Sequence, residues 1–248
     1  MCTLIALHRC IADAPLVVAA NRDEFHGRPT EGPALREASI SVVAPRDLHA
    51  GGTWLGINAS GLFAAVTNRR CETPDARRRS RGWLVMEALE EPTAERAVER
   101  FRNLPEAAYN PFNLFMADGE SAHLVTYADR PERIDLAAGA HVIGNVHPDE
   151  PSPKLARLRA EVADLVSREG GSLGALADVC RTHVACRPFE STCVHAGEYG
   201  TRSSTLLRTG TDPTLCYADG PPCEAPYRDL TPLLHDLGLA PSRERVQA

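Results

Sequence analysis

Two short apolar runs open the chain, residues 4–7 and 16–20, separated by Asp13-Ala14-Pro15. Neither run alternates with polar positions, so each predicts a strand buried on both faces, and the pair reads as a hairpin. Asn21-Arg22-Asp23-Glu24 follows abruptly and sets an amide and three charges at the end of a buried strand. Residues 39–44 read as a further strand. Residues 53–58 and 62–67 read as a hairpin turning at Ala59-Ser60-Gly61, and Gly51-Gly52 ahead of it predicts close backbone approach. A helical pattern runs near 82–91. Thr93 then caps a second helix whose Ala94, Ala97, Val98 and Phe101 share a face.

Strands are predicted again at 112–118, 121–127 and about 140–144. Helices follow at 153–169, with Leu155, Leu158, Val162, Leu165 and Val166 on one stripe, and at 172–184, capped by Ser172. Strands return around 192–195, 201–208 and 214–218. From about Pro221 to residue 248 the chain is Pro-rich and reads as mostly extended over the surface. Strands outnumber helices, many strands are apolar on both faces, and the helices fall in two clusters. That pattern favours two stacked sheets with helices outside over a doubly wound sheet. The expected fold class is α+β, a four-layer α/β/β/α sandwich, built as a single domain over residues 1–248.

Composition narrows the function classes. A net charge of -6 with 43% apolar residues describes a globular chain and argues against a nucleic-acid binder. The chain has no apolar run long enough for a spanning helix, and the early run at 3–7 is cut by His8 and Arg9. A cytoplasmic protein without a membrane span is expected. The Arg77–Arg81 segment lacks interleaved aromatics and reads as a solvated helix start, able to attract an anionic substrate or a lipid headgroup. Of the eight cysteines, no pair has C-x-x-C spacing, and the nine histidines show no H-x-x-x-H or H-E-x-x-H pattern. No metal site is expected, and most of the thiols read as small hydrophobes in or near the core.

Cys2 stands apart. Once the initiator Met is removed, it carries an α-amine whose ordinary pKa makes it a base near neutral pH. Such an amine can activate the thiol directly. An antiparallel hairpin returns the end of its second strand beside the start of its first, which brings Arg22 and Asp23 towards Cys2. Arg22 would favour the thiolate and Asp23 would orient the amine. The same residues also fit a plainer reading, in which Cys2 starts a strand behind a retained Met1 and the charges form surface ion pairs. Trp54 fits either a pocket wall or a half-buried strand position. Lys154 is the sole lysine, so a lysine base is a poor expectation and fixed positive charge must come from arginines.

The segments AANRDEFHGRPT (19–30) and RDLHAGGTWLGINASGLFAAVTN (46–68) resemble the NRDE family, also called the transport and Golgi organisation protein 2 family. YNPFNLFMAD (109–118), HVIGNVHPDEPSPKLARLR (141–159) and EYGTRSSTLL (198–207) continue the resemblance, as does the Cys-Thr start. It covers nearly the whole chain, and its motifs are long and specific. Two departures are the dense arginines at 77–81 and Gly144, at a place often held by Ser. More distantly, the chain is similar to N-terminal-nucleophile (Ntn) hydrolases of the choloylglycine hydrolase and penicillin acyltransferase type. That relation implies the same α/β/β/α fold. It puts Asn68 where an oxyanion-stabilising amide sits, makes Asn145 and Arg202 the other polar site residues, and gives Arg22 and Asp23 the roles following the second strand.

The resemblance implies an N-terminal cysteine amidohydrolase or acyltransferase acting on a small non-peptide amide or acyl substrate. Cys2, Arg22, Asp23, Asn68, Asn145 and Arg202 would form its site, with no cofactor. The alternative it implies is a haem or acyl-CoA/lipid binding and trafficking protein that uses the same cleft without turnover.

Overall fold

The computed structural model describes residues 2–239. The opening hairpin forms as β1 (Thr3–Ile11) and β2 (Ala14–Phe25), antiparallel, with Thr3 opposite Asn21 and Leu4 opposite Ala20. Its two faces explain its unbroken apolar runs. Leu4, Ala6, Leu16 and Val18 enter one core, while Ile5, Leu7, Val17 and Ala19 enter another on the opposite side. Alternate residues on a strand point to opposite faces, so a strand lying between two cores has no position left for polar side chains.

A second sheet follows with β3 (Thr30–Arg36), β4 (Val42–Asp47), β5 (Leu55–Asn58) and β6 (Phe63–Asn68). Asn58 makes the β5–β6 turn: its Oδ1 accepts from the Ser60 and Leu62 amides, and its Nδ2 donates to the Leu89 and Glu91 carbonyls. Helices α1 (Gly82–Leu89) and α2 (Ala94–Arg100) come next, the second capped by the Thr93 side chain, which accepts from the Arg96 amide. Strands β7 (Phe112–Ala117), β8 (Ala122–Tyr127) and β9 (Pro131–Leu136) complete a seven-stranded sheet in the order β3-β4-β5-β6-β7-β8-β9.

The chain then returns to the first sheet. β10 (Gly139–Ile143) pairs with β1, and the helices α3 (Pro153–Glu169) and α4 (Leu173–Arg181) cover the sheet's outer face. β11 (His195–Ala196), β12 (Tyr199–Arg208), β13 (Thr214–Ala218) and β14 (Arg228–Asp229) finish it in the order β10-β1-β2-β12-β13-β14, with β11 on β12. Three apolar layers result. Leu4, Val18, Phe63 and Phe115 pack between the sheets; Leu84, Val98 and Phe112 pack under α1 and α2; Ile5, Leu158 and Leu176 pack under α3 and α4. The structure is the four-layer α/β/β/α sandwich that the pattern predicts.

Three local expectations are corrected. Strands β3 and β9 escape the periodicity because they are outer strands, half exposed and carrying Pro33, Pro131, Glu132 and Arg133. The segment from Pro221, expected to be extended, instead contains β14 and a short helix, α5 (Thr231–Asp236), whose Leu234 seals the inter-sheet core. Residues 240–248 of that segment lie outside the described residues. Only two of the eight cysteines, Cys180 and Cys193, are fully buried, while Cys10, Cys71, Cys186 and Cys223 are exposed. Among the described residues no helix is long and apolar enough to cross a membrane.

The two sheets are stitched at one end, and that end holds the site. The Thr67 hydroxyl donates to the Gly144 carbonyl at 2.6 Å, and Asn113 Nδ2 donates to the Gly144 and Val146 carbonyls at 3.1 and 2.8 Å. The Asn145 amide donates to the Asn68 carbonyl, and the Arg70 amide donates back to the Asn145 carbonyl at 2.8 Å. Here the polar end of β6 meets the exit of β10. A glycine pair closes the adjoining wall: Gly52, at φ +71°, packs so tightly that a Cβ would stand 2.5 Å from the Gly82 carbonyl carbon.

Candidate active site

Cys2 precedes β1 at the stitched end, and the residue contributes to the walls of two clefts. The first, about 340 Å³, is walled by Arg22, Asp23, Trp54, Asn68 and Arg81 among others. The second, about 290 Å³, is walled by Arg70, Asn145, Lys154 and Phe189. The thiol lies 3.9 Å from the Asp23 carbonyl oxygen, a weak contact. Burial pushes the Cys2 thiol pKa up, Asp23 adds to the rise, and Arg22 opposes it.

Arg22 and Asp23 are neighbours on β2 and so face opposite ways. Arg22 is 6% exposed and lays its guanidinium over the Trp54 ring, 4.3 Å from the ring centroid. That contact joins the first sheet to the second across the cleft and combines cation–π attraction with burial. Trp54 lies just before β5 and lines the cleft, so its pocket-wall reading holds. Among the described residues, Arg22 Nη1 has no hydrogen-bond partner. Asp23 points to the other face, where its Oδ1 accepts from the Thr201 hydroxyl at 2.7 Å. Burial raises the Asp23 pKa to about 6, against the lowering effects of Lys154 and the Thr201 hydroxyl.

The remaining predicted residues are distributed unevenly. Asn68 ends β6, is exposed, and lines the first cleft. Asn145 lines the second cleft, and its amide already serves as a clamp on Asn68. Arg202 walls neither cleft. It is the extra residue of a bulge in β12, where Thr201 opposes Asp23 and Ser203 opposes Arg22. Its Nε is buried without a partner among the described residues, at the level of the Arg22–Asp23 pair. Cys2, Arg22 and Asn68 thus wall the first cleft with Asp23, whose carboxylate turns to the opposite face; Asn145 walls the second cleft, and Arg202 sits in the β12 bulge outside both.

Two features were misread in the sequence. The 77–81 arginines are not a solvated helix start alone: Arg78, Arg79 and Arg81 wall the first cleft beside Arg22 and Arg28. Arg78 and Arg81 are held there by donating to the Tyr109 and Pro111 carbonyls at 2.8 and 3.2 Å. The lone lysine, set aside as a site residue, is 8% exposed and walls the second cleft with Cys2. Its Nζ has no hydrogen-bond partner among the described residues. Burial lowers the Lys154 pKa, while Asp23 and Cys2 hold it up by charge, which sets all three within electrostatic reach. The sequence signal was position: Lys154 is the second residue of α3, behind the capping Ser152 and Pro153, so its side chain starts at a helix N-terminus.

The histidines were also set aside. Four donor atoms from His183, Cys193, His195 and Cys223 nevertheless lie within 4.8 Å of one another.

The structure is similar to solved N-terminal-nucleophile hydrolases. The Caenorhabditis elegans orthologue of N-acylethanolamine-hydrolyzing acid amidase matches with a TM-score of 0.60 and 13% identity, covering 83% of this chain and 92% of that one. The C2A mutant of the conjugated bile acid hydrolase from Clostridium perfringens matches with a TM-score of 0.58 and 10% identity, covering 94% and 93%. At such identity the likeness concerns the fold. In sequence, the Transport and Golgi organization protein 2 homologues of Bos taurus and Homo sapiens are 28% and 27% identical over 235 residues, 82% of this chain and 85% of each relative. The family model described as Transport and Golgi organisation 2 matches residues 1–219. The chain belongs to the Transport and Golgi organisation 2 family.

Proposed function

We propose that the protein is an N-terminal cysteine amidohydrolase or acyltransferase whose small acyl substrate carries an anionic group. The observation that carries this reading is the position of Cys2, a residue shared by the walls of two clefts, with Arg22, Asp23 and Lys154 within electrostatic reach of its thiol. With Met1 removed, the Cys2 amine takes the thiol proton as the sulfur attacks the carbonyl carbon. The amine then returns that proton to the leaving nitrogen, and a thioester remains on Cys2. Water, or a second amine, attacks the thioester and restores the thiol. Arg22 and Lys154 hold the region positive while charge develops on sulfur and on the carbonyl oxygen, and Asn68 is the amide best placed in the first cleft to donate to that oxygen. Asn145 takes a positioning role, since its amide is engaged with the Asn68 carbonyl. Arg202 sits in the β12 bulge, at the level of Arg22 and Asp23 on the neighbouring strand β2.

The preference for an anion rests on Arg22, Arg28, Arg78, Arg79 and Arg81 in one cleft wall, against Asp23, Glu24, Asp47 and Asp75. Arg28 is taken up by Asp47 at 2.6 Å and Arg79 by Glu87 at 3.0 Å, while Asp75 pairs with Arg77 at 3.0 Å, so Arg22, Arg78 and Arg81 are the cations left to favour an anionic ligand. The same wall favours a second reading, a carrier that holds a phosphate-bearing acyl group such as acyl-CoA, or the propionates of haem, without turnover. Intact-mass analysis before and after exposure to a panel of N-acyl amides and acyl thioesters separates the two. An enzyme gains an acyl mass on a chain lacking Met1 and releases it with time. A carrier shows ligand binding and no adduct.

A further inference from the structure

We propose that His183, Cys193, His195 and Cys223 form a tetrahedral zinc site on the outer face of the first sheet, separate from the cleft at Cys2. Two thiolates and two imidazoles are a donor set that zinc takes in closed structural sites. Zinc–sulfur bonds of about 2.3 Å and zinc–nitrogen bonds of about 2.0 Å require donors roughly 3.3–3.8 Å apart along the tetrahedron's edges. Cys193 Sγ lies 3.5 Å from Cys223 Sγ and 3.7 Å from His195 Nε2, and His195 Nε2 lies 3.2 Å from Cys223 Sγ. The His183 ring stands beside that of His195, centroids 5.2 Å apart. The two cysteines are free thiols, and their 3.5 Å spacing falls within the range of a zinc tetrahedron's edges.

The scaffold fixes these donors independently of any metal. Cys193 sits in the bend that leads into β11 at His195, and that bend brings the two side chains within 3.7 Å. The Thr182 carbonyl accepts from the Thr192 and Cys193 amides, both at 3.1 Å, which ties this segment to the residue before His183. Arg181 Nε donates to the Pro222 carbonyl at 3.1 Å and holds the Cys223 turn against the end of α4. Cys193 is buried and the other three residues are exposed, so the ion has an open path in. Binding releases the two thiol protons to solvent and leaves a site with no net charge.

The site would clamp three segments that share no regular strand or helix: the exit of α4, the β11 hairpin and the turn after β13. It also reaches the Cys2 region by a short chain of bonds. The Val194 amide donates to the Thr201 hydroxyl at 2.8 Å, and that hydroxyl donates to Asp23. The family match ends at residue 219, so Cys223 lies beyond it.

The test uses the full chain purified under reductant. Metal analysis is expected to find equimolar zinc, and the chelated protein titrated with Co2+ is expected to develop thiolate charge-transfer and tetrahedral d–d bands at one equivalent. Cys223→Ser and His183→Ala, both at exposed positions, should each weaken Co2+ binding at least a hundredfold, with circular dichroism unchanged. Cys71→Ser, at another exposed cysteine, should bind as the parent does. Absence of thiolate charge transfer in the reduced parent chain would overturn the proposal. So would bands that survive Cys223→Ser, or a Cys193–Cys223 disulfide in protein kept reduced and supplied with zinc.

Discussion

Two cysteine regions lie on either side of Asp23, and they differ in what surrounds the sulfur. At Cys2 the charged neighbours besides Asp23 are cations: Arg22 stacked on Trp54, Arg81 in the cleft wall, and the buried ammonium of Lys154, without a hydrogen-bond partner among the described residues. At Cys193 and Cys223 the neighbours are two imidazoles and a second sulfur. Cations lower the cost of a thiolate while leaving its lone pairs free to attack. A set of converging nitrogen and sulfur donors at 3.2–3.7 Å would instead engage those lone pairs with the proposed ion. The proposed nucleophile and the proposed ligand set thus belong to one sheet and differ in surrounding charge and in the number of converging donors.

That contrast breaks most sharply at Cys2 itself. Cys2→Ala should lower acyl turnover by at least about a thousandfold, measured on the best substrate of the panel, while metal content stays as in the parent chain. Equal activity in Cys2→Ala would remove the contrast altogether. Next in size is Lys154→Met, which keeps the side chain's volume and removes its charge. Turnover should fall roughly a hundredfold, and the rise of rate with pH should move to higher pH, because the Cys2 thiolate loses a cation. Thermal stability should hold or increase, since an unpartnered buried ammonium is costly. A parallel loss of activity and stability, with no shift of the pH profile, would make Lys154 merely structural.

Asp23 gives a smaller, thermodynamic effect. Its folded pKa of about 6 stands above the ordinary carboxylate value of 3.8, so the native state holds the proton more tightly than the unfolded state. Its contribution to stability therefore rises as pH falls from about 6 to about 4 and is constant outside that window. Across the window the difference between parent chain and Asp23→Asn should change by roughly 3 kcal/mol, read from denaturant unfolding at several pH values. A difference that is flat with pH would mean that Asp23 is ionised throughout. The smallest effect is expected at the link between the regions. Thr201→Val removes the hydroxyl that serves both Val194 and Asp23, and should cost about 1–3 kcal/mol without abolishing turnover.

The sequence made the interior of this fold legible and its borders obscure. β1 and β2 lie between two cores, so their runs admit no polar position and could be read directly. β3 and β9 sit at the edges of the second sheet, where proline and charge are tolerated, and carry no such pattern. The site divides likewise. Arg22 and Asp23 follow from hairpin geometry alone, because Thr3 pairs with Asn21. Asn68 was legible through the family motif. Lys154 was not, because it joins Cys2 in a cleft wall from α3, 152 positions later in the chain, a juxtaposition that no local pattern encodes. The proposed zinc donors come from the exit of α4, the bend and first residue of β11, and the turn after β13, segments far apart in sequence that no local spacing connects.

Peptide mapping after brief exposure to a reactive N-acyl amide or acyl thioester tests the central claim most directly. The account predicts an acyl group on an N-terminal peptide that begins at Cys2, lost again on further incubation, with Cys193 and Cys223 unmodified. A chain that retains Met1 ahead of Cys2, or a Cys2 that stays unacylated while substrate is consumed, would contradict it.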